Sequence, residues 1–89
     1  MTERQATIAS SSGLHARPAK LFVAAVQKTG IPITISVAGG KELSAVSILS
    51  LMGLGASQGT VVTLRSDAEG AEQVLDELVA MLETDLDAE

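Results

Sequence analysis

Residues 31–43 read IPITISVAGGKEL, and this stretch indicates which kind of β-sheet the chain builds. Apolar side chains recur at every second position through its first half, at Ile31, Ile33, Ile35 and Val37, with Thr34 and Ser36 on the other face. Such alternation is typical of a strand with one buried and one solvated face. Gly39 and Gly40 then favour a tight hairpin into a second strand. Because a hairpin joins antiparallel strands, we expect an antiparallel sheet.

Patterns typical of strands and helices flank this hairpin. Before it, QATIAS (5–10) predicts a strand that ends near Ser10, and SSSG (10–13) predicts a loop. Apolar residues at helical spacing from Pro18 onward predict a helix of about ten to twelve residues, which stops at Thr29 and Gly30. Proline is tolerated in the first turn of a helix, so the helix begins at Ala16 or Pro18.

Three further elements follow the hairpin. SAVSILSLMGLG (44–55) predicts a helix of about seven residues, capped by Ser44 or Ser47 and ended by glycines. TVVTLRS (60–66) predicts a strand, and an apolar stripe predicts a helix from Gly70 to about Thr84. The order βαββαβα predicts an α+β open-faced sandwich, with a four-stranded antiparallel sheet and the helices on one face. We expect residues 1–89 to form a single domain.

Composition narrows the function classes. The chain has no cysteine and a single histidine, so no recognisable metal-ligand set is present and no metal is expected. The first residues show no apolar run typical of a signal or membrane span, and we expect a cytoplasmic protein. The formal charge of −5 and the absence of Trp and Tyr argue against nucleic acid as a partner.

Charge is unevenly distributed along the chain. Residues 67–89 carry nine acidic and no basic residues, whereas residues 1–66 carry all six basic residues and two acidic ones. An anionic ligand is therefore expected to meet the first part of the chain, where Arg17 and Lys20 lie.

His15 lies at or just before the predicted start of the first helix. The first turn of an α-helix presents backbone N–H groups and the positive end of the helix dipole, which together attract anions. This environment disfavours the imidazolium, and a neutral imidazole has a lone pair that can attack phosphorus. His15 is therefore a candidate nucleophile, although a capping or surface histidine would fit the same position. Arg17 is the candidate to support a bound phosphoryl group.

The segment GLHARPA (13–19) closely resembles the active-site motif of the HPr family, the histidine-containing phosphocarriers of the bacterial phosphoenolpyruvate-dependent sugar phosphotransferase system. The segment SAVSILSLMGLGASQGTVV (44–62) resembles the second signature of that family, and the likeness extends over essentially the whole chain. The resemblance implies that His15 accepts a phosphoryl group on Nδ1 from phosphorylated Enzyme I and passes it to IIA domains of sugar permeases. It implies a supporting role for Arg17 and a loop shaped by Ser12, Ala16 and Pro18, with no bound cofactor.

The resemblance also implies regulation and docking. Ser47 matches a serine that, in some members, an ATP-dependent HPr kinase phosphorylates, which weakens exchange with Enzyme I or recruits a catabolite-control regulator. A helix cap would by itself be sufficient reason for a serine at this position, and Val46 stands where the family often has a lysine. The partner surface is expected to include Leu14, Lys20, Ile48 and Leu51, and the family implies a monomer.

Three other functions remain open from the sequence. A ferredoxin-like regulatory domain would bind a small molecule between its elements and leave His15 dispensable. A regulatory relative of HPr would act chiefly through Ser47, although the purely regulatory branch of the family lacks the histidine that this chain retains. An enzyme would need a second acid or base near His15, and none is adjacent in the chain.

Overall fold

The computed structural model describes residues 2–10, 13 and 16–84, and within them the predicted order of elements is confirmed. The bounds are β1 (Thr2–Thr7), α1 (Ala16–Thr29), β2 (Thr34–Val37), β3 (Leu43–Ser44), α2 (Ile48–Gly53), β4 (Val61–Ser66) and α3 (Ala71–Leu82).

The four strands form one antiparallel sheet in the order β1-β4-β2-β3. The hairpin that joins β2 to β3 is confirmed, with Ile35 opposite Leu43. Its turn contains Gly39 at φ +76°, a backbone angle that L side chains rarely adopt, and the Gly40 amide donates to the Val37 carbonyl at 2.9 Å. The antiparallel sheet expected from residues 31–43 is therefore present.

The core lies between the sheet and the three helices, as the open-faced sandwich requires. Phe22 of α1, Leu51 of α2 and Leu75 of α3 are fully buried against strand residues such as Ile35 and Leu64. The helices therefore share one apolar cluster, and the opposite face of the sheet is left to polar side chains such as Thr63 and Arg65.

The first strand differs from its prediction. β1 spans Thr2–Thr7, whereas a strand over 5–10 was expected. Ile8 still exchanges backbone hydrogen bonds with the 59–60 turn, but the Ala9 amide donates to the Leu82 carbonyl at the end of α3, at 3.1 Å. The chain therefore leaves the sheet before Ser10. Nearer the start of β1, Arg4 Nε donates to Asp76 of α3 at 2.9 Å, which is a further link between this strand and this helix.

The remaining bounds shift by a few residues. α1 has 14 residues rather than ten to twelve, α2 has six, and α3 is shorter than predicted. β2 begins at Thr34 because Pro32 lacks an amide donor, and its carbonyl accepts from Ser66 Oγ at 2.7 Å instead of entering a ladder. Ser36, expected on the solvated face, is buried, and it lies on β2, which is an inner strand of the sheet.

Within the residues that the structure describes, no helix is long and apolar enough to span a bilayer.

Candidate functional site

The candidate site is at the N-terminus of α1. The helix begins at Ala16, so Pro18 occupies its first turn, where a missing amide donor costs least. Pro18 is fully buried, which anchors this turn to the core. His15 directly precedes Ala16 in the chain, but His15, Ser12 and Leu14 lie outside the described residues, and their roles stay predictions.

The first two turns of α1 present an exposed face that is both basic and apolar. Arg17, Lys20 and Leu21 are exposed, and their spacing of three and four residues places them on one side of the helix. Two cations thus lie within the first five residues of α1, next to the positive end of its dipole. This face can attract an anionic group.

The segment that leads from β1 toward His15 is held from two sides. Ile8 pairs with the 59–60 turn: its amide donates to Thr60 at 2.9 Å and its carbonyl accepts from Gly59 at 2.8 Å. On the other side, Glu83 Oε2 accepts from the Thr7 amide at 3.3 Å, beside the Ala9 contact with α3. The approach to the candidate site is therefore fixed by parts of the chain more than 45 residues away.

Gly13 continues this anchoring, and its contact with the rest of the fold was not predicted from the sequence. It is buried, has φ +71°, and donates its amide to the Ser10 carbonyl at 2.9 Å. It lies directly against the backbone of Ala56 and Ser57. The only sequence signal for this contact is the glycine at the first position of GLHARPA. That glycine does not indicate which residues it contacts.

Ser47 is the N-cap of α2. Its Oγ accepts from the Ser50 amide at 3.2 Å, and its extended backbone angles are those of a capping residue. The capping alternative for Ser47 is therefore confirmed, and Ser44 is not the cap. Regulatory phosphorylation of Ser47 stays a prediction.

The docking prediction for Leu51 is wrong. Leu51 is fully buried in the core, whereas its neighbours on α2 reach solvent: Ile48 and Met52 are each 40% exposed, and Leu49 is 83% exposed. A six-residue helix that packs against α1 and β3 has room for one inward-pointing position, and tertiary contacts rather than periodicity select it. Together with Leu21 on α1, the three exposed residues of α2 form what we call the α1–α2 surface.

Other candidate sites within the described part of the chain are weaker. No cluster of three or more His, Cys, Asp or Glu side chains there could hold a metal ion. A groove of about 470 Å³ runs beside β2 and β3, with Ile31, Leu43 and Arg65 in its walls. Arg65 is already engaged, donating to Glu3 Oε1 at 2.7 Å, and this hydrogen bond raises the pKa of Arg65 above its usual range. No residue from the first turn of α1 lines this groove.

Comparisons with known proteins point in the same direction. The profile of a family described as "PTS HPr component phosphorylation site" matches residues 2–84. The phosphocarrier protein HPr of Streptomyces coelicolor is 46% identical over 82 residues, covering 92% of this chain and 88% of that protein. The phosphocarrier protein HPr of Haemophilus influenzae is 38% identical over 84 residues, covering 94% and 98%. The crystal structure of HPr-C-His from Thermoanaerobacter tengcongensis superposes with a TM-score of 0.88 at 37% identity, covering 100% of this chain and 99% of that one.

Proposed function

The chain belongs to the HPr family, the phosphocarrier proteins of the sugar phosphotransferase system, and we propose that it carries the phosphoryl group on His15. The donor would be phosphorylated Enzyme I, and the acceptors would be IIA domains of sugar permeases. The observation that carries this proposal is the start of α1 at Ala16, one residue after the only histidine of the chain. Family membership sets the ferredoxin-like alternative aside.

The proposed step is a phosphoryl exchange between two nitrogen or oxygen nucleophiles. The Nδ1 lone pair of neutral His15 forms the new P–N bond, while the bond between phosphorus and the donor breaks and its electron pair stays with the donor. The choice of Nδ1 comes from the family resemblance. Transfer to a IIA domain reverses the roles, with His15 as the leaving group.

Arg17 and the backbone donors of a helix N-terminus support this chemistry. Once His15 carries a phosphoryl group, a guanidinium in the first turn of α1 can donate charge-assisted hydrogen bonds to its oxygens. A carrier must also release the group, so a few contacts at an exposed helix end suit it better than a deep pocket, which would stabilise the loaded form too strongly.

We further propose that the α1–α2 surface docks the partners. Exposed apolar side chains on two helices that pack against each other form a patch suited to protein contact, and Lys20 adds a charge at its edge. The protein would act as a cytoplasmic monomer. Ser47, which caps the helix that bears Ile48 and Leu49, would be the regulatory site if a kinase acts on it.

The test is a phosphorylation assay with phosphoenolpyruvate, Mg²⁺ and Enzyme I. We expect one added phosphate that is labile in acid and stable in alkali, as a phosphohistidine is, and we expect His15→Ala to abolish it. Ser47→Ala is the matched control and should still be labelled. Continued labelling of His15→Ala would refute the assignment, because no second histidine exists in the chain.

A further inference from the structure

We propose that Gly13 is a positioning residue for His15: because Gly13 has no side chain, its own backbone packs directly against the backbone of Ala56 and Ser57, two positions before His15 in the chain. The inference rests on the proposed function of His15 and adds to it a contact between the phosphorylation motif and a distant turn. Two residues separate the anchored Gly13 from Ala16, the first residue of α1. The ends of the segment that bears His15 are therefore fixed by this contact and by the helix.

The geometry at Gly13 excludes any larger residue. A Cβ built on Gly13 would lie 2.3 Å from the Ala56 carbonyl oxygen and 2.8 Å from the Ser57 Cα. Both neighbours are backbone atoms, so no side-chain rotation could relieve the overlap. The φ of +71° adds a second requirement for glycine, since an L residue adopts that angle only with strain.

The turn on the other side of the contact is itself held in place. Ala56 is buried in the core, and Ser57 and Thr60 close the turn reciprocally: the Ser57 amide donates to Thr60 Oγ1 at 3.1 Å, and the Thr60 amide donates to the Ser57 carbonyl at 3.0 Å. Gly59 donates to Ile8, which ties the turn to the end of β1. A methyl group added at Gly13 would therefore displace Gly13 and the residues that follow it rather than the turn.

A matched control exists at the other end of α1. Gly30 has the same φ of +71°, but a Cβ there would meet nothing within 4 Å. Gly30→Ala therefore incurs the backbone strain without the overlap, and Gly13→Ala incurs both. The difference between the two variants isolates the contact with Ala56 and Ser57.

The experiment combines NMR of the His15 ring with transfer kinetics. His15 is the only histidine, so its imidazole signals can be followed alone as pH is varied. We expect Gly13→Ala to change the ring shifts and titration midpoint and to lower kcat/KM for transfer from Enzyme I roughly 10- to 100-fold, because small misplacements of a reacting group are costly. Gly30→Ala should leave both readouts near those of the wild type. A folded Gly13→Ala protein with wild-type ring signals and transfer rate would overturn the proposal.

Two further measurements apply even if Gly13→Ala does not fold. The wild-type protein should give a nuclear Overhauser effect between the α-protons of Gly13 and Ser57, and its absence would contradict the contact. Thr60→Val removes the side-chain acceptor of the Ser57 amide and should shift the His15 signals, whereas Thr63→Val in β4 should not. Failure of the wild type to accept phosphate would refute the proposed function, yet the ring signals would still report on the role of Gly13.

Discussion

Arg17 and Lys20 carry the same charge and lie about one helical turn apart. Substituting each of them in turn can therefore distinguish direct contact with the phosphoryl group from long-range electrostatic attraction. Both are exposed on one face of α1. Only Arg17 lies in the first turn of the helix, two positions after His15 in the chain. Hydrogen bonds to charged groups contribute about 1.5–3 kcal/mol, which corresponds to roughly 10- to 150-fold in rate. We expect Arg17→Gln to lower kcat/KM for phosphoryl transfer by that factor.

Lys20→Gln is the control for this prediction, because it removes the same formal charge from the same face. We expect it to lower the rate only a fewfold, with an effect that fades as salt screens the charge. Equal losses in the two variants would mean that Arg17 acts through the general field and not by contact with the phosphoryl group.

At the scale of a residue, the sequence predicts what is adjacent in the chain. His15, Arg17 and Pro18 are near neighbours, so a helix start at Ala16 or Pro18 suffices to bring the motif together. The partner of Gly13 could not be predicted, because Ala56 and Ser57 belong to a different turn and meet Gly13 only through the tertiary fold. The prediction that Leu51 lies on the partner surface was wrong for the same reason, because tertiary contacts determine which residue of α2 is buried.

The short helix α2 links capping to the proposed regulation. Ser47 caps it through the 3.2 Å contact with the Ser50 amide, and aspartate and asparagine cap as well as serine does. We therefore expect Ser47→Asp to keep the stability of the fold while slowing transfer from Enzyme I, since it adds a negative charge next to the α1–α2 surface.

Two companion variants make that result interpretable. Ser47→Asn retains a capping side chain without the charge and should transfer at the wild-type rate. Ser47→Ala should lose about 1 kcal/mol of stability with little change in transfer. If Asp and Asn slow the reaction equally, charge at Ser47 is not the regulatory signal.

Two leucines of α2 are expected to have different roles: Leu51 stabilises the fold, and Leu49 contributes to partner docking. Leu51 is fully buried, so Leu51→Ala is expected to cost about 2–5 kcal/mol of unfolding free energy. Leu49 is 83% exposed, so Leu49→Ala should change stability by no more than about 0.5 kcal/mol.

The functional effects should be the reverse. Leu49→Ala removes part of the proposed docking surface and should raise KM for Enzyme I with kcat unchanged, as expected when uniform binding is lost. Leu51→Ala should keep its KM at temperatures where it remains folded. A wild-type KM for Leu49→Ala would exclude this residue from the docking surface.

For the molecule as a whole, periodicity and glycine positions predicted the class of fold and the order of its elements. The alternation in IPITISV and the Gly39-Gly40 turn required an antiparallel pair, and the apolar stripe of α3 identified its buried face. The strand order β1-β4-β2-β3 could not be predicted this way, because it depends on which strands pair across the molecule. The strand bounds shifted where Pro32 and the Ala9 contact with α3 intervene.

Stability of this fold should come from its shared core and not from the charges on α3, and two adjacent residues test that. Leu75 is fully buried, whereas Asp76 pairs with Arg4 at 2.9 Å with its side chain 62% exposed. In urea unfolding, Leu75→Ala is expected to lose about 2–5 kcal/mol, and Asp76→Asn less than about 1 kcal/mol, because exposed ion pairs are screened by solvent.

Glu77→Gln, which removes the same charge one residue on, sets the baseline for Asp76→Asn. A loss at Asp76 comparable to that at Leu75 would show instead that the link between β1 and α3 depends on its ion pair.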